Sequence, residues 1–480
     1  MPKPEVRVLI VGAGVAGREA AAEMRAHPEF GYQPIGFIDD DPTKHGQELL
    51  GLRVLGGRGD IPPLVRAHQV DEILIAMPSE SGAVIRQLVL ACAQAKVRFK
   101  IVPGIREIIL GDVRIEQIRQ VEPEDLLGRE SVDLAASAPG AASGELLRDR
   151  SVLVTGAGGS IGGEICRQVL HGGARRLILL GRGENSIFEI ESELRPEAAG
   201  KTELVPVIAD VRDEQAIRDR FQVEQPELVF HAAAHKHVPY MEHFPGEAVL
   251  RNVVGTRNVI RAARAAGSQR VVVISTDKAA GARSVMGATK RLAEELVRAS
   301  GGTQGPVVTA VRFGNVLGSR GSVVPLFKRQ IARGGPVTVS DPEATRYFMT
   351  VREAAALVIQ AAALGRGGEV FVLDMGQPIR ILELARDLII FSGYQPDVDI
   401  PIQFTGLRPG ERQHEILQAV DETLAATPHA KIKAVVTARP VPADLDQLID
   451  RLAAAAEAGH RAQVLAGLSA AVPELGRRDS

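Results

Sequence analysis

Residues 150–170 read RSVLVTGAGGSIGGEICRQVL, and the fold follows from how this run divides. Ser151 to Val154 is short, apolar and rich in β-branched side chains, the pattern of a strand covered on both faces. Thr155, Gly156, Ala157, Gly158, Gly159, Ser160, Ile161 and Gly162 follow at the spacing TGxxGxxG. Glycines placed there let the backbone turn tightly and let a pyrophosphate approach the free N–H groups of a starting helix. From Glu164 the apolar residues return at helical spacing. A strand, a glycine turn and a helix in that order open a dinucleotide-binding unit.

Working outward, the apolar runs RLILLG, LVPVIADV, ELVFHAAA and RVVVIST alternate with helical patterns. Such alternation predicts a parallel sheet flanked by helices. The N-terminus repeats the design: VRVLIVGAGVAGREAAAEM (6–24) carries Gly12, Gly14 and Gly17 as GxGxxG after a strand. Asp39 in GFIDDDP ends the next strand about 20 residues on, where a carboxylate can accept from a ribose hydroxyl. The expected class is therefore α/β, with two Rossmann-like doubly wound parallel-sheet domains. Residues 1–125 would form a nucleotide-binding domain, 126–149 a linker, 150–435 the second domain with a small C-terminal substrate-binding part, and 436–480 a helical tail. The linker rests on the Ala, Ser, Gly and Pro content of SVDLAASAPGAASGELLRD (131–149). Downstream of the first turn, PSESGAVIRQL and IVPGIRE show no catalytic cluster.

At 480 residues, with 45% hydrophobic and 24% charged side chains, the chain has globular composition and exceeds one ordinary core. Its 57 basic and 59 acidic side chains give a net charge of -2, so nucleic acid is not an expected partner, and any anionic ligand must be held by local groups. Cys92 and Cys166 are far apart in helical patterns, which suits a reducing compartment. No Cys/His cluster has zinc spacing, so no metal is expected. No run of about 18 apolar residues offers a membrane span.

The motifs VTGAGGSIGGEICRQ, HAAAHKHVPYMEHFP, NVVGTRNV, ISTDKAA, VMGATKR, VRFGNVLGSRGSVVPLF, TRYFMT and GLRPGER stand in one order between about residues 151 and 430. In this the chain resembles extended short-chain dehydrogenases, and more narrowly the bacterial UDP-N-acetylglucosamine 4,6-dehydratases of capsule, O-antigen and glycan synthesis. The first domain and EDLLGRE also match the longer, membrane-associated members. Those members carry transmembrane helices ahead of this region, so the resemblance implies a cytoplasmic protein or the cytoplasmic part of an inner-membrane-associated enzyme. It also implies a homo-oligomer and a tightly held, recycled NAD or NADP. Gly181 stands where an NAD-selective carboxylate often sits, with Arg182 beside it, which points towards the 2′-phosphate of NADP. Asp210 in ADVRD could hold the adenine or belong to a solvated turn.

The implied reaction oxidises the sugar at C4, eliminates water across C5 and C6, and returns the hydride to C6. Elimination needs a base at C5 and an acid at the departing C6 hydroxyl, and the adjacent Asp277 and Lys278 can supply both. By resemblance Asp277 is the acid and Lys278 the base, which requires a protonated carboxyl and a neutral amine. Met286 and Lys290 lie four apart on one helix face. Lys290 would bind the nicotinamide ribose, whereas Met286 stands where a tyrosine base is usual, and a thioether accepts no proton at neutral pH. The family includes a Met-containing subgroup, so Met286 is expected to pack or to shape the substrate site. C4 deprotonation then passes to Thr276, Asp277, Lys278 or water, for which a relay centred on Asp277 with Thr276 as partner is the favoured reading. The run AAGARS (279–284) departs from the family pattern and leaves substrate orientation open.

Lys236 and His237 fall beside the implied sugar pocket. Asn315, Arg346 and Arg408 match uridine-diphosphate contacts, a task suited to the arginine fork. Two other functions fit the same residues: a UDP-sugar C4-epimerase, which shares the oxidation but not the elimination, and a nucleotide-sensing scaffold that has lost catalysis.

Overall fold

The computed structural model describes residues 6–77, 80, 82–102, 142–302 and 304–476. Strands β1 (Val6–Val11), β2 (Tyr32–Ile38), β3 (Glu48–Leu49), β4 (Leu52–Gly56), β5 (Glu72–Ile75) and β6 (Arg98–Ile101) form one sheet. Their order is β3-β4-β2-β1-β5-β6, parallel except where β3 meets β4. Successive side chains of a strand point to opposite faces. Leu9 and Val11 accordingly join one apolar core while Val8 and Ile10 join another.

This first unit is not contiguous in sequence, and here the expected boundaries need correction. Segments 326–339 and 383–403, assigned to the second domain above, cluster with the N-terminal sheet. Ile390 and Phe391 pack on the core that contains Leu9, and the ring of Phe391 meets Phe99 edge-on at 6.4 Å. Arg86 closes the contact with Asp387 at 3.1 Å. EDLLGRE, IVPGIRE beyond Val102 and the linker as far as residue 141 lie outside the described residues. The last part of that linker is a helix, Ala142–Leu147, whose Leu147 is buried in the core of the second unit.

The second unit is built on β7 (Ser151–Thr155), β8 (Arg176–Gly181), β9 (Glu203–Ile208), β10 (Leu228–His231), β11 (Arg270–Ile274) and β12 (Val307–Arg312). All are parallel, in the order β9-β8-β7-β10-β11-β12. Val370–Leu373 extends the sheet in parallel beyond β12, and Ile432–Thr437 and Glu422–Ala426 complete it antiparallel. Leu153, Ile178 and Leu180 feed one core, and Val152, Val154, Leu177 and Leu179 the other. The chain runs outward from β7 in both directions, so a crevice opens between the carboxyl ends of β7 and β10, where open α/β sheets hold ligands.

The C-terminal tail belongs to this same unit. Leu445, Ile449 and Leu452 of helix Leu445–Glu457, with Val464 and Leu468 of helix Arg461–Ala471, enter the core that also contains Met286. Each fully buried side chain of this size contributes about 1.5–3 kcal/mol. Both cysteines are buried and free, and burial raises the Cys92 thiol to about 12. Among the described residues no helix is long and apolar enough to cross a membrane.

Candidate active site

A cleft of about 690 Å³ opens in the second unit at the crevice between β7 and β10. Its glycine turn is enforced by contact. A Cβ on Gly156, which has φ +68°, would meet the backbone N of Ala233 at 2.8 Å. On Gly158 it would lie 2.5 Å from the Ser186 carbonyl oxygen, and on Gly162 2.2 Å from that of Gly156. Side chains at these positions would clash with the protein's own backbone, so only glycine lets the turn close this tightly against the helix start, as a dinucleotide-binding turn requires. Gly159, Ser160 and Ile161 also line the cleft. Beneath it, Thr155 Oγ1 accepts from the Ala233 N–H at 3.2 Å and meets His231 Nδ1 at 2.8 Å. On the far side of the ring, Thr256 donates to the Asn252 carbonyl, which leaves its oxygen to accept from His231 Nε2 at 3.1 Å. This network selects a neutral His231 with its proton on Nε2. Burial, and then Lys290, push its pKa down to about 3.

At the far end Gly181 terminates β8, where a Cβ would come 2.9 Å from Ile187. Arg182 and Arg251 line this end. The Arg251 Nε is buried without a hydrogen-bond partner. Asp210, a candidate for the adenine or for a solvated turn, accepts from Arg212 N and Nε, both at 3.1 Å, and from Arg251 at 2.8 Å. Its neighbours Ala209 and Val211 line the cleft, and Asp210 does not.

At the catalytic end Thr276, Lys278, Met286 and Lys290 come together on the wall. Ser284 caps the helix Val285–Ala299 by accepting from Gly287 N, and AAGARS buries Ala279, Ala280 and Ala282 while turning at Gly281 with φ +52°. That turn sets the helix on β11 so that Lys290 donates to the Ile274 carbonyl at 2.8 Å. Burial lowers the Lys290 amine to about 8, against a smaller upward pull from Glu294. Met286 is 3% exposed and shared between core and cleft.

Asp277 is 1% exposed and sits one layer below the wall. Its Oδ1 accepts from Thr276 Oγ1 at 2.8 Å and from Lys278 Nζ at 3.0 Å, while Oδ2 has no partner. Gly314 lines the cleft beside that oxygen, and a Cβ there would come within 3.1 Å of it. Burial above all, with Glu415 added, raises the Asp277 carboxyl above its ordinary range despite Lys278. That direction eases the uptake of a proton by the carboxylate, as an acid for the C6 oxygen requires. The expected neutral amine is not favoured: burial is the largest influence on Lys278 and pulls it down, yet Asp277 and Glu415 together hold it above its ordinary value.

Lys236, His237 and Asn315 also line the cleft. Arg346 does not; its guanidinium donates to the Thr345 and Gln413 carbonyls at 2.7 and 3.0 Å and approaches Glu415 at 3.5 Å. Arg408 is exposed, 3.8 Å from Glu411, and likewise lies off the cleft. Sequence reasoning passed over Glu415, Arg251 and Arg320. Arg320 donates through its backbone to Ser160 Oγ at 3.0 Å and through its guanidinium to the Gly158 carbonyl at 3.3 Å, tying the loop after Asn315 to the glycine turn. Glu415 had a signal, three residues beyond GLRPGER, but nothing in the spacing tied it to Lys278.

A family described as polysaccharide biosynthesis protein matches residues 152–437. The chain belongs to that family. Among similar proteins, the probable polysaccharide biosynthesis protein EpsC of Bacillus subtilis (strain 168) is 46% identical over 466 residues, 96% of this chain and 77% of its own length. The capsular polysaccharide biosynthesis protein CapD of Staphylococcus aureus is 44% identical over 446 residues, 92% of this chain and 74% of its own. The X-ray structure of Pen from Bacillus thuringiensis superposes with a TM-score of 0.56 at 34% identity, over 62% of this chain and 90% of that one.

Residues 3–103 match a CoA-binding domain. In this first unit Gly12 has φ +105°, and a Cβ on Gly17 would lie 1.8 Å from the Gly12 oxygen, so helix and strand pack backbone to backbone. A Cβ on Gly14 would meet nothing within 4 Å. Asp39, expected at a ribose, accepts from Ala13 N and from Lys44 Nζ, both at 2.9 Å. Burial raises its carboxyl, but the Asp41 N–H and Lys44 outweigh that and hold it below the ordinary range.

Proposed function

We propose that this member of the polysaccharide biosynthesis family is a nucleotide-sugar 4,6-dehydratase that converts UDP-N-acetylglucosamine or a related UDP-HexNAc to the 4-keto-6-deoxy sugar. One observation carries the reading. Arg182, Lys236, Arg251, Lys278, Lys290 and Arg320 line the cleft, and among the described residues no aspartate or glutamate does. In a chain of net charge -2, so one-sided a lining suits a dinucleotide beside a nucleoside diphosphate. A nicotinamide cofactor in this cleft would supply the hydride acceptor for C4 and return the same hydride to C6. Arg182 and the unpartnered Nε of Arg251 support NADP, because a 2′-phosphate would meet both guanidinium groups.

The chain's own residues divide the remaining work. Thr276, hydrogen-bonded to Asp277, receives the C4 hydroxyl proton into that pair, since Met286 cannot. Asp277 delivers a proton through Oδ2 to the departing C6 oxygen, and Lys278, once neutral, removes the C5 hydrogen. Lys290 holds the nicotinamide ribose, and Met286 excludes water from the reacting face. The first unit is proposed to hold an adenine-nucleotide type of ligand at Gly14, a reading supported by the open space there and by its match to a CoA-binding domain.

Mass spectrometry after incubation with UDP-N-acetylglucosamine and no added cofactor tests the reaction. The expected product is lighter by one water. An unchanged mass with a new epimer would replace this reading by a C4-epimerase. No conversion of any UDP-sugar, even with added NAD or NADP, would replace it by a non-catalytic scaffold.

A further inference from the structure

The ammonium of Lys278 has three hydrogens and, in this structure, three acceptors. Asp277 Oδ1 lies at 3.0 Å, Glu415 Oε1 at 3.2 Å and Asn315 Oδ1 at 3.3 Å. Glu415 comes from the loop that follows GLRPGER, and its side chain is only 5% exposed. Arg346, on the short strand Thr345–Arg346, stands behind it with Nε at 3.5 Å. The row Arg346, Glu415, Lys278, Asp277 therefore alternates in charge, and Lys278 is its cleft-lining member.

We propose that Glu415 is a positioning residue for the proposed elimination: it holds Lys278 as an ammonium aimed at the cleft and thereby sets when that side chain becomes a base. The inference deepens the dehydratase reading and rests on it for its meaning, although the coupling of Glu415 to Lys278 can be measured without any turnover. A lysine whose three hydrogens are all accepted has no lone pair to offer C5 and must first release a proton. Three charged groups act on that release directly, Asp277 on the same segment, Glu415 on the loop and Arg346 on its strand, and Arg412 acts on Glu415. Removing the Glu415 charge leaves Arg346 unbalanced and only Asp277 to favour the ammonium. Each of these changes lets Lys278 lose its proton at lower pH. Removing Arg346 acts with the opposite sign.

The test is reductive methylation of Lys278 with formaldehyde and cyanoborohydride in the full-length protein, followed against pH by peptide mass spectrometry, because only the neutral amine reacts. For Glu415→Gln the midpoint of modification is expected to fall by about one pH unit or more. Glu415→Asp should stay nearer the wild type, and Arg346→Gln should raise the midpoint. The pair of opposite shifts cannot come from loosened packing. An unmoved midpoint in Glu415→Gln, or a fall in Arg346→Gln as well, would overturn the proposal. Midpoints that move as expected while wild-type protein eliminates water from no UDP-sugar would keep the coupling and overturn the reaction.

Discussion

Asp277 and Met286 are separated by one short turn, yet opposite fates follow from their chemistry. Asp277 has a buried, unpartnered oxygen beside the cleft, so its proton has one direction in which to act. Asp277→Asn keeps the shape and removes the acid, and elimination should fall by roughly 10²–10⁴-fold in product formation. Met286→Leu is a volume-conserving swap that costs under about 1.5 kcal/mol, about tenfold even if all of it fell on the barrier. Equal losses in the two variants would contradict this division. Asp277 and Lys278 were legible because they sit side by side in a matched motif. Glu415 was not, because only the folded loop brings its carboxylate to Lys278. Arg346 and Arg408 show the reverse: both stood in matched motifs, and the structure turns one to Glu415 and leaves the other at the surface.

At the scale of elements, the glycine turn and the edge of the sheet make separate predictions. A Cβ at position 158 would press on the Ser186 carbonyl, and the turn has no flexible side chain to give way. Gly158→Ala should therefore weaken retention of the dinucleotide by on the order of 10–100-fold, read as cofactor absorbance in the purified protein. The strand Glu422–Ala426 is tied inward by charge. Glu422 accepts from Arg312 at 2.7 and 2.9 Å and also pairs with Arg291, and Arg312 in turn holds Glu294 at 2.6 and 2.7 Å. Breaking one member of such a buried set costs about 3–5 kcal/mol, and Glu422→Gln should lose that much in a urea unfolding curve at neutral pH. Burial alone would raise the Glu422 carboxyl, but Arg312 outweighs it and depresses the group to about 2. A depressed carboxylate stabilises the fold above its ordinary value of 4.5 and stops doing so as the pH falls towards 2. The gap between wild type and Glu422→Gln should therefore narrow over that window. This network was invisible in the sequence, where Glu422 lies more than 100 residues beyond the helix and strand that carry its partners.

At the scale of the molecule, both parallel sheets were legible from the strand, glycine turn and helix pattern, because a doubly covered strand admits little but apolar side chains. The boundaries were less so. Segments 326–339 and 383–403 cluster with the N-terminal unit because apolar helix faces can pack on either core, and periodicity records that a face is apolar without saying what it meets. The tail was read as helical, and its helices enter the core that also contains Met286. The central claim for the whole protein is that one cleft removes a hydride, expels water and returns that hydride to the same sugar. The most direct measurement uses UDP-N-acetylglucosamine deuterated at C4, with the protein as purified and no cofactor added. The predicted product is lighter by one water and carries the deuterium at C6. A dehydrated product without the label, or a product that has kept all its oxygen, would contradict the account.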